Sequence, residues 1–186
     1  MVLEGLDGLP CSVEVKNGKL VLVIDAVRKS SQVVWDGALN NGTWDLATTT
    51  NVLKGGVADI FVTGDTITFN DAATKKAVLI NTELLPNLIT VDASSYYLMS
   101  GTGSLAGAMS FTKTGSGHLT LSTTNTFTGK VTLNQGILEI KNASALGAES
   151  SLVGNFLING GILVITTACE FNRAATIGAN GGTIQN

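Results

Sequence analysis

Three pentapeptides constrain this chain more than any other feature. Asn134-Gln135-Gly136-Ile137-Leu138 is echoed by Asn159-Gly160-Gly161-Ile162-Leu163 and by Asn180-Gly181-Gly182-Thr183-Ile184, and Gly115-Ser116-Gly117-His118-Leu119 fits the same frame. Aligned on the last glycine they fall at Gly117, Gly136, Gly161 and Gly182, spacings of 19, 25 and 21 residues. Self-similarity at such periods marks stacked repeats, in which each unit buries its apolar face only against its neighbours. The flanks alternate: Val131, Leu133, Ile137 and Leu138 to Ile140 in one unit, then Phe156, Ile158, Ile162, Leu163 and Ile165 in the next. Alternation at a period of two describes strands. The pattern therefore predicts one coil of a β-solenoid per unit, with corners turned by residues that accept positive φ, Gly freely and Asn tolerably. Stacking would set like positions about 4.8 Å apart, giving a continuous apolar interior and Asn positions able to form ladders.

Composition agrees with strands rather than helices. Charged residues make up 13% of the chain, about half the ~25% of an average globular domain. Polarity comes instead from Thr, Ser and Asn, which suit strands and tight turns. The only helical signal, Ala143 to Ser150, is worth one turn. A net charge of -3 supplies no Lys/Arg face to displace phosphate counterions, which argues against a nucleic-acid partner. The longest purely apolar run, Leu20 to Ile24, is far below the ~20 residues of a membrane helix, so no membrane insertion of this segment is expected. Residues 1–10 have neither a basic n-region nor an apolar h-region, so no signal peptide is expected there; with Met1 read as an added start and GGTIQN offering no terminal element, the chain is expected to be a piece of something longer.

Three parts follow along the chain: residues 1–32 as the end of a preceding β unit or a hairpin, 33–64 as a Trp/Gly-rich capping block, and 65–186 as solenoid coils. Val13 to Ile24 carries Asn17-Gly18 between apolar flanks, the pattern of a hairpin with a type I′ turn. Further strands are expected at Asp65 to Asn70, Ala77 to Asn81, Leu88 to Asp92 and Tyr96 to Met99. Cys11 and Cys169 show no metal-ligand or redox spacing; two separate thiols fit better than a disulfide.

The run TKTGSGHLTLSTTNTFTGKVTLNQGILEI resembles the autotransporter passenger-associated β-strand repeat through Lys113, Gly115, Gly117, Leu119, Leu121, Asn125, Thr126, Thr128, Gly129, Gly136 and Leu138. Phe127 stands where Tyr is common, and Lys130 where Gly is common. Upstream, VVWDGALNNGTWDLATTTNV and DTITFND are similar to the block that often precedes this repeat, with Val52 in place of a Trp. Downstream, FNRAATIGANGGTIQN is similar to the segment that often follows it. The resemblance implies an all-β, right-handed parallel β-helix, carried extracellularly on a bacterial outer surface or secreted. It implies no chemistry.

Motifs that would suggest chemistry dissolve on inspection. Ser110 to Lys113 fits S-x-x-K and Lys113-Thr114-Gly115 fits K-T-G, but both signatures share Lys113, whereas the serine enzymes that use them draw them from separate elements. Asp65, Asp71, Asp92 and Glu139 are the strand-associated acids; they are scattered singly, unlike the carboxylate pairs of glycoside hydrolysis, and strand-end capping explains Asp65 and Asp71. His118 has no Cys nearby and reads as a strand residue at a corner. Gly101 to Gly107 has the wrong interval for a dinucleotide loop. Asn41-Gly42-Thr43 and Asn142-Ala143-Ser144 are formal glycosylation sequons that read as turns. No catalytic residue, metal site or cofactor is expected, calcium included, because closely spaced oxygen ligands are missing.

Trp35 and Trp44 admit two readings. They could cover the open end of the solenoid, the reading preferred here, or offer exposed rings to a sugar. A stalk or display spacer, with neighbouring repeats of the same protein as its partners, follows from the first. The alternative is an adhesin module that binds glycan or a host surface protein through Trp35, Trp44, Tyr96 and Tyr97.

Overall fold

The structure, a computed structural model, describes residues 11–24, 28–149, 152–168 and 173–186. It is all-β, and two sheets dominate it. The first runs in the order Ala175–Ile177, Phe156–Ile158, Val131–Leu133, Ser110–Lys113, Leu88–Asp92, Thr66–Asn70 and Gln32–Trp35. Two antiparallel strands, Val52–Lys54 and Val57–Asp59, complete its outer edge. The second runs Thr183–Gln185, Ile162–Ile165, Ile137–Ile140, His118–Leu121, Tyr97–Ser100, Ala77–Ile80 and Thr43–Trp44. Apart from the two edge strands, every pairing in both sheets is parallel. Each coil gives one strand to each sheet, so the chain is a β-solenoid.

Register turns the alternating pattern into columns. In the first sheet Val33, Ile67, Ile89, Phe111, Val131 and Phe156 stack in sequence. In the second, Val78, Met99, Leu121 and Ile140 do the same. All are buried, and the column face points inward because strand side chains alternate. Outward positions carry threonine: Thr68, Thr90, Thr112 and Thr132 are neighbours across successive coils. The expected spacing is seen directly, since His118, Ile137, Ile162 and Thr183 pair in register one residue after each framing glycine.

The reason for those glycines differs from the one expected. Gly136 does hold a left-handed corner at φ +73. Gly117 and Gly161 lie outside that region; they are glycine because the adjoining coil leaves no room. A Cβ on Gly161 would meet Leu133 Cγ at 2.5 Å, and one on Gly117 would collide with the Ser95 carbonyl. Among the described residues the framing asparagines meet through Asn180 N–H, which donates to Asn159 Oδ1 at 3.1 Å.

Cys11–Lys16 and Lys19–Ile24 form the expected antiparallel hairpin, with Asn17 at φ 53 and Gly18 at φ 72 as a type I′ turn requires. Ala143–Leu146 makes the one expected turn, as a 3-10 helix. Cys169 lies outside the described residues, and so does its pairing.

Candidate functional site

The four aromatic candidates separate into a core and a surface. Trp35 and Trp44 are 0% and 1% exposed, and Tyr97 is 0%. Their rings form one cluster with Phe61 and Phe69: Trp44 meets Phe61 edge-on at 5.1 Å between centroids and Phe69 at 5.4 Å, Phe69 meets Trp35 at 5.6 Å and Tyr97 at 5.8 Å. Trp35 Nε1–H donates to the Lys75 carbonyl at 2.8 Å, and Tyr97 O–H to the Asn70 carbonyl at 2.6 Å; burial pushes the Tyr97 hydroxyl pKa up. These three rings have no face open to a ligand. They sit inside because Trp35 and Trp44 end strands of the first coil at inward positions, Trp35 with its ring against Phe69 and Trp44 paired with Ile80.

Polar residues of the surrounding block hold that aromatic core. The buried Asn51 side chain accepts from Leu39 N–H at 2.7 Å and donates to the Leu39 and Thr43 carbonyls, at 2.9 and 2.7 Å. Asp65, wholly buried, accepts from Arg28 Nη1 at 2.7 Å, Ser31 N–H at 2.8 Å and Val62 N–H at 2.9 Å. Arg28 also reaches Asp59 at 2.7 Å. Asp71 accepts from the Ser95 hydroxyl at 2.5 Å and from the backbone N–H groups of Ser94 and Ser95 in the next coil, both at 2.9 Å; the Ser95 hydroxyl first, and then the Ser94 N–H, hold its carboxyl well below the usual range. Asp65 and Asp71 therefore tie chain segments together.

The repeat segment has its own interlocks. Buried Asn125 accepts from Leu105 N–H at 2.9 Å and donates to the Ala145 carbonyl at 2.7 Å, joining three successive coils. Lys113 occupies an inward position between Val91 and Leu133; its ammonium donates to the Gly115 carbonyl and, at 3.4 Å, to that of Gln135. Burial pushes its pKa down to about 8. Ser110 and Lys113 lie on opposite faces of one strand, so the S-x-x-K spacing assembles no nucleophile and base. Arg173 donates to the Gly147 and Ala148 carbonyls at 2.8 and 2.7 Å.

Tyr96 differs from the other three candidates. It is 52% exposed and lies over the outward face of the second sheet, its O–H donating to Thr120 Oγ1 at 3.1 Å and its ring edge-on to His118 at 5.2 Å. Thr120 Oγ1–H donates to Glu139 Oε2 at 2.7 Å. His118 Nε2 lies 3.0 Å from the same oxygen, and Lys141 Nζ contacts the other. Hydrogen bonding from Lys141 first, and then Thr120, lowers the Glu139 pKa to about 2. His118 and Glu139 were each read singly from the sequence; the parallel register of Thr120 with Glu139 and of His118 with Ile137 brings them together.

Residues 111–140 match the model of the passenger-associated-transport-repeat. Over those residues the chain is similar to that repeat. Its 30 or so residues span two successive coils, since strands Ser110–Lys113 and His118–Leu121 form one and Val131–Leu133 and Ile137–Ile140 the next. Of the residues on which the resemblance to this repeat rests, Lys113 and Asn125 are the interlocks above and Gly136 is the left-handed corner. A curated relative, "Adhesin BmaC autotransporter" of Brucella suis biovar 1 (strain 1330), is 35% identical over 102 residues, or 50% of this chain. The chain spans about 3% of that relative's length. No solved structure matches it.

Proposed function

We propose that this segment is a non-catalytic spacer in the passenger of a bacterial surface or secreted autotransporter, with neighbouring repeats of the same protein as its principal partners. The observation that carries this reading is the burial of Trp35 and Trp44 in the first coil. There they fill the interior beneath an antiparallel edge formed by Val52–Lys54 and Val57–Asp59. Residues 33–64 then serve as the cap of the coils that follow. An end closed in this way keeps apolar interior and strand edges from water, and parallel coils stacked behind it make a stiff rod.

Replacing Trp44 tests the cap. Removing a buried Trp costs ~3–5 kcal/mol, so Trp44→Ala should lower the denaturation midpoint strongly. Trp fluorescence of the parent should be blue-shifted and resist iodide. A variant that keeps the parental midpoint would remove the capping role.

A second reading has one observation in its favour: Tyr96 presents a half-exposed ring on the sheet face. The relative's printed name is that of an adhesin. In this reading the segment also binds carbohydrate or a host surface protein.

A further inference from the structure

Exposed tyrosines usually swing freely, but Tyr96 is held at both ends. Its hydroxyl is tied to Thr120 and its ring packs T-shaped against His118. A ring already fixed loses little conformational freedom when something stacks on it. Thr120 beneath is 2% exposed, so its hydroxyl, which accepts from Tyr96 and donates to Glu139, couples the ring to the carboxylate.

What the cluster still offers to solvent defines the ligand. Lys141 Nζ is bonded to Glu139 Oε1; an ammonium has three donors and a carboxylate oxygen two acceptor sites, so both retain capacity. The side chains of His118 and Lys141 are 37% and 44% exposed. A donor and an acceptor side by side match a pair of vicinal hydroxyls, each of which gives one hydrogen bond and receives another. An aromatic face with negative quadrupole matches the C–H face of a pyranose ring. Lys141 and Glu139 offset each other's charge, so the pair presents no net positive charge to favour an acidic sugar, and the chain's net charge of -3 repels polyanions.

We propose that this face binds a neutral hexopyranose, stacked on Tyr96 and hydrogen-bonded through Lys141, Glu139 and His118. The inference rests on the adhesive reading and narrows it to one site and one ligand class. The site is an open face rather than an enclosing pocket, so a single sugar binds weakly and multivalent display raises retention.

The test is retention of the protein on an array of multivalent glycans ending in neutral hexoses or in acidic sugars. The parent should be retained on neutral hexose-terminated glycans. Tyr96→Ala should lose about tenfold, the scale of one aromatic contact, while Tyr96→Phe, which keeps the ring, retains binding. Should Tyr96→Ala lower the melting temperature, Lys141→Met serves instead: it removes the exposed donor and should also lose retention. Equal retention of the parent, Tyr96→Ala and Lys141→Met would overturn this site while leaving the segment adhesive. Retention only on acidic glycans would overturn the ligand class. No retention on any glycan would overturn the site and carbohydrate binding together, leaving the spacer function untouched.

Discussion

Asn125→Ala removes one side chain from a joint between three coils. In the parent, Asn125 takes the Leu105 N–H from the coil before and gives its amide to the Ala145 carbonyl of the coil after. Both bonds are buried, and alanine leaves both backbone groups without their side-chain partner in the interior. Each orphaned buried group costs about 1–3 kcal/mol, so the pair costs ~2–6 kcal/mol. For a chain of this size 1 kcal/mol moves the melting temperature by about 2–4 °C, which puts the expected drop near ~10 °C.

The loss should also be local, because solenoid stability is a sum of neighbouring coil terms. Amide exchange should accelerate at Leu105, Thr126 and Phe127, whose backbones meet at this joint, and stay slow at Val33 and Ile67 in the first coils. Asn125→Asp gives an internal control: it keeps an acceptor for Leu105 N–H but turns an oxygen toward the Ala145 carbonyl, so it should recover only part of the stability. Urea denaturation and hydrogen exchange of the three proteins measure both effects. A loss under ~1 kcal/mol with unchanged exchange at Leu105 would refute the claim that Asn125 bridges the coils.

Two further predictions separate the causes proposed above. Gly18 and Gly136 share a left-handed φ of +72 and +73, yet a Cβ on Gly18 meets nothing within 4 Å, whereas one on Gly136 meets the Gly115 carbonyl at 2.5 Å and Lys113 Nζ at 2.8 Å. Gly18→Ala should therefore cost ~1–2 kcal/mol, the left-handed strain alone, and Gly136→Ala clearly more; equal melting temperatures would show that coil clearance is irrelevant. Glu139 is held at about 2 against an ordinary 4.5, so its contribution is fully present above pH ~4.5 and is lost as pH falls toward ~2. Glu139→Gln should flatten that acid-side decline in stability, and an unchanged profile would show that the Lys141, Thr120 and His118 contacts do not couple to folding.

The amino-acid sequence alone determined the solenoid. Alternation from Val131 to Ile140 and from Phe156 to Ile165, framed by glycines at regular spacing, leaves parallel stacking as the way to bury every apolar position, and Asn17-Gly18 specifies its hairpin locally. Those features are legible because period and turn chemistry are short-range. Tertiary structure decided what the residues between them do. Whether Trp35 faces a ligand or the core depends on which coil it joins; whether Lys113 is a surface charge or an inward strut depends on strand parity within a corner. Gly161 looks like a turn residue and is a clearance residue, because the Leu133 side chain that excludes a Cβ belongs to the coil before it. The cluster of Tyr96, His118, Thr120, Glu139 and Lys141 was invisible in one dimension, since its cross-coil pairs Tyr96–Thr120, His118–Glu139 and Thr120–Glu139 are 24, 21 and 19 residues apart and meet only when parallel register sets coil on coil.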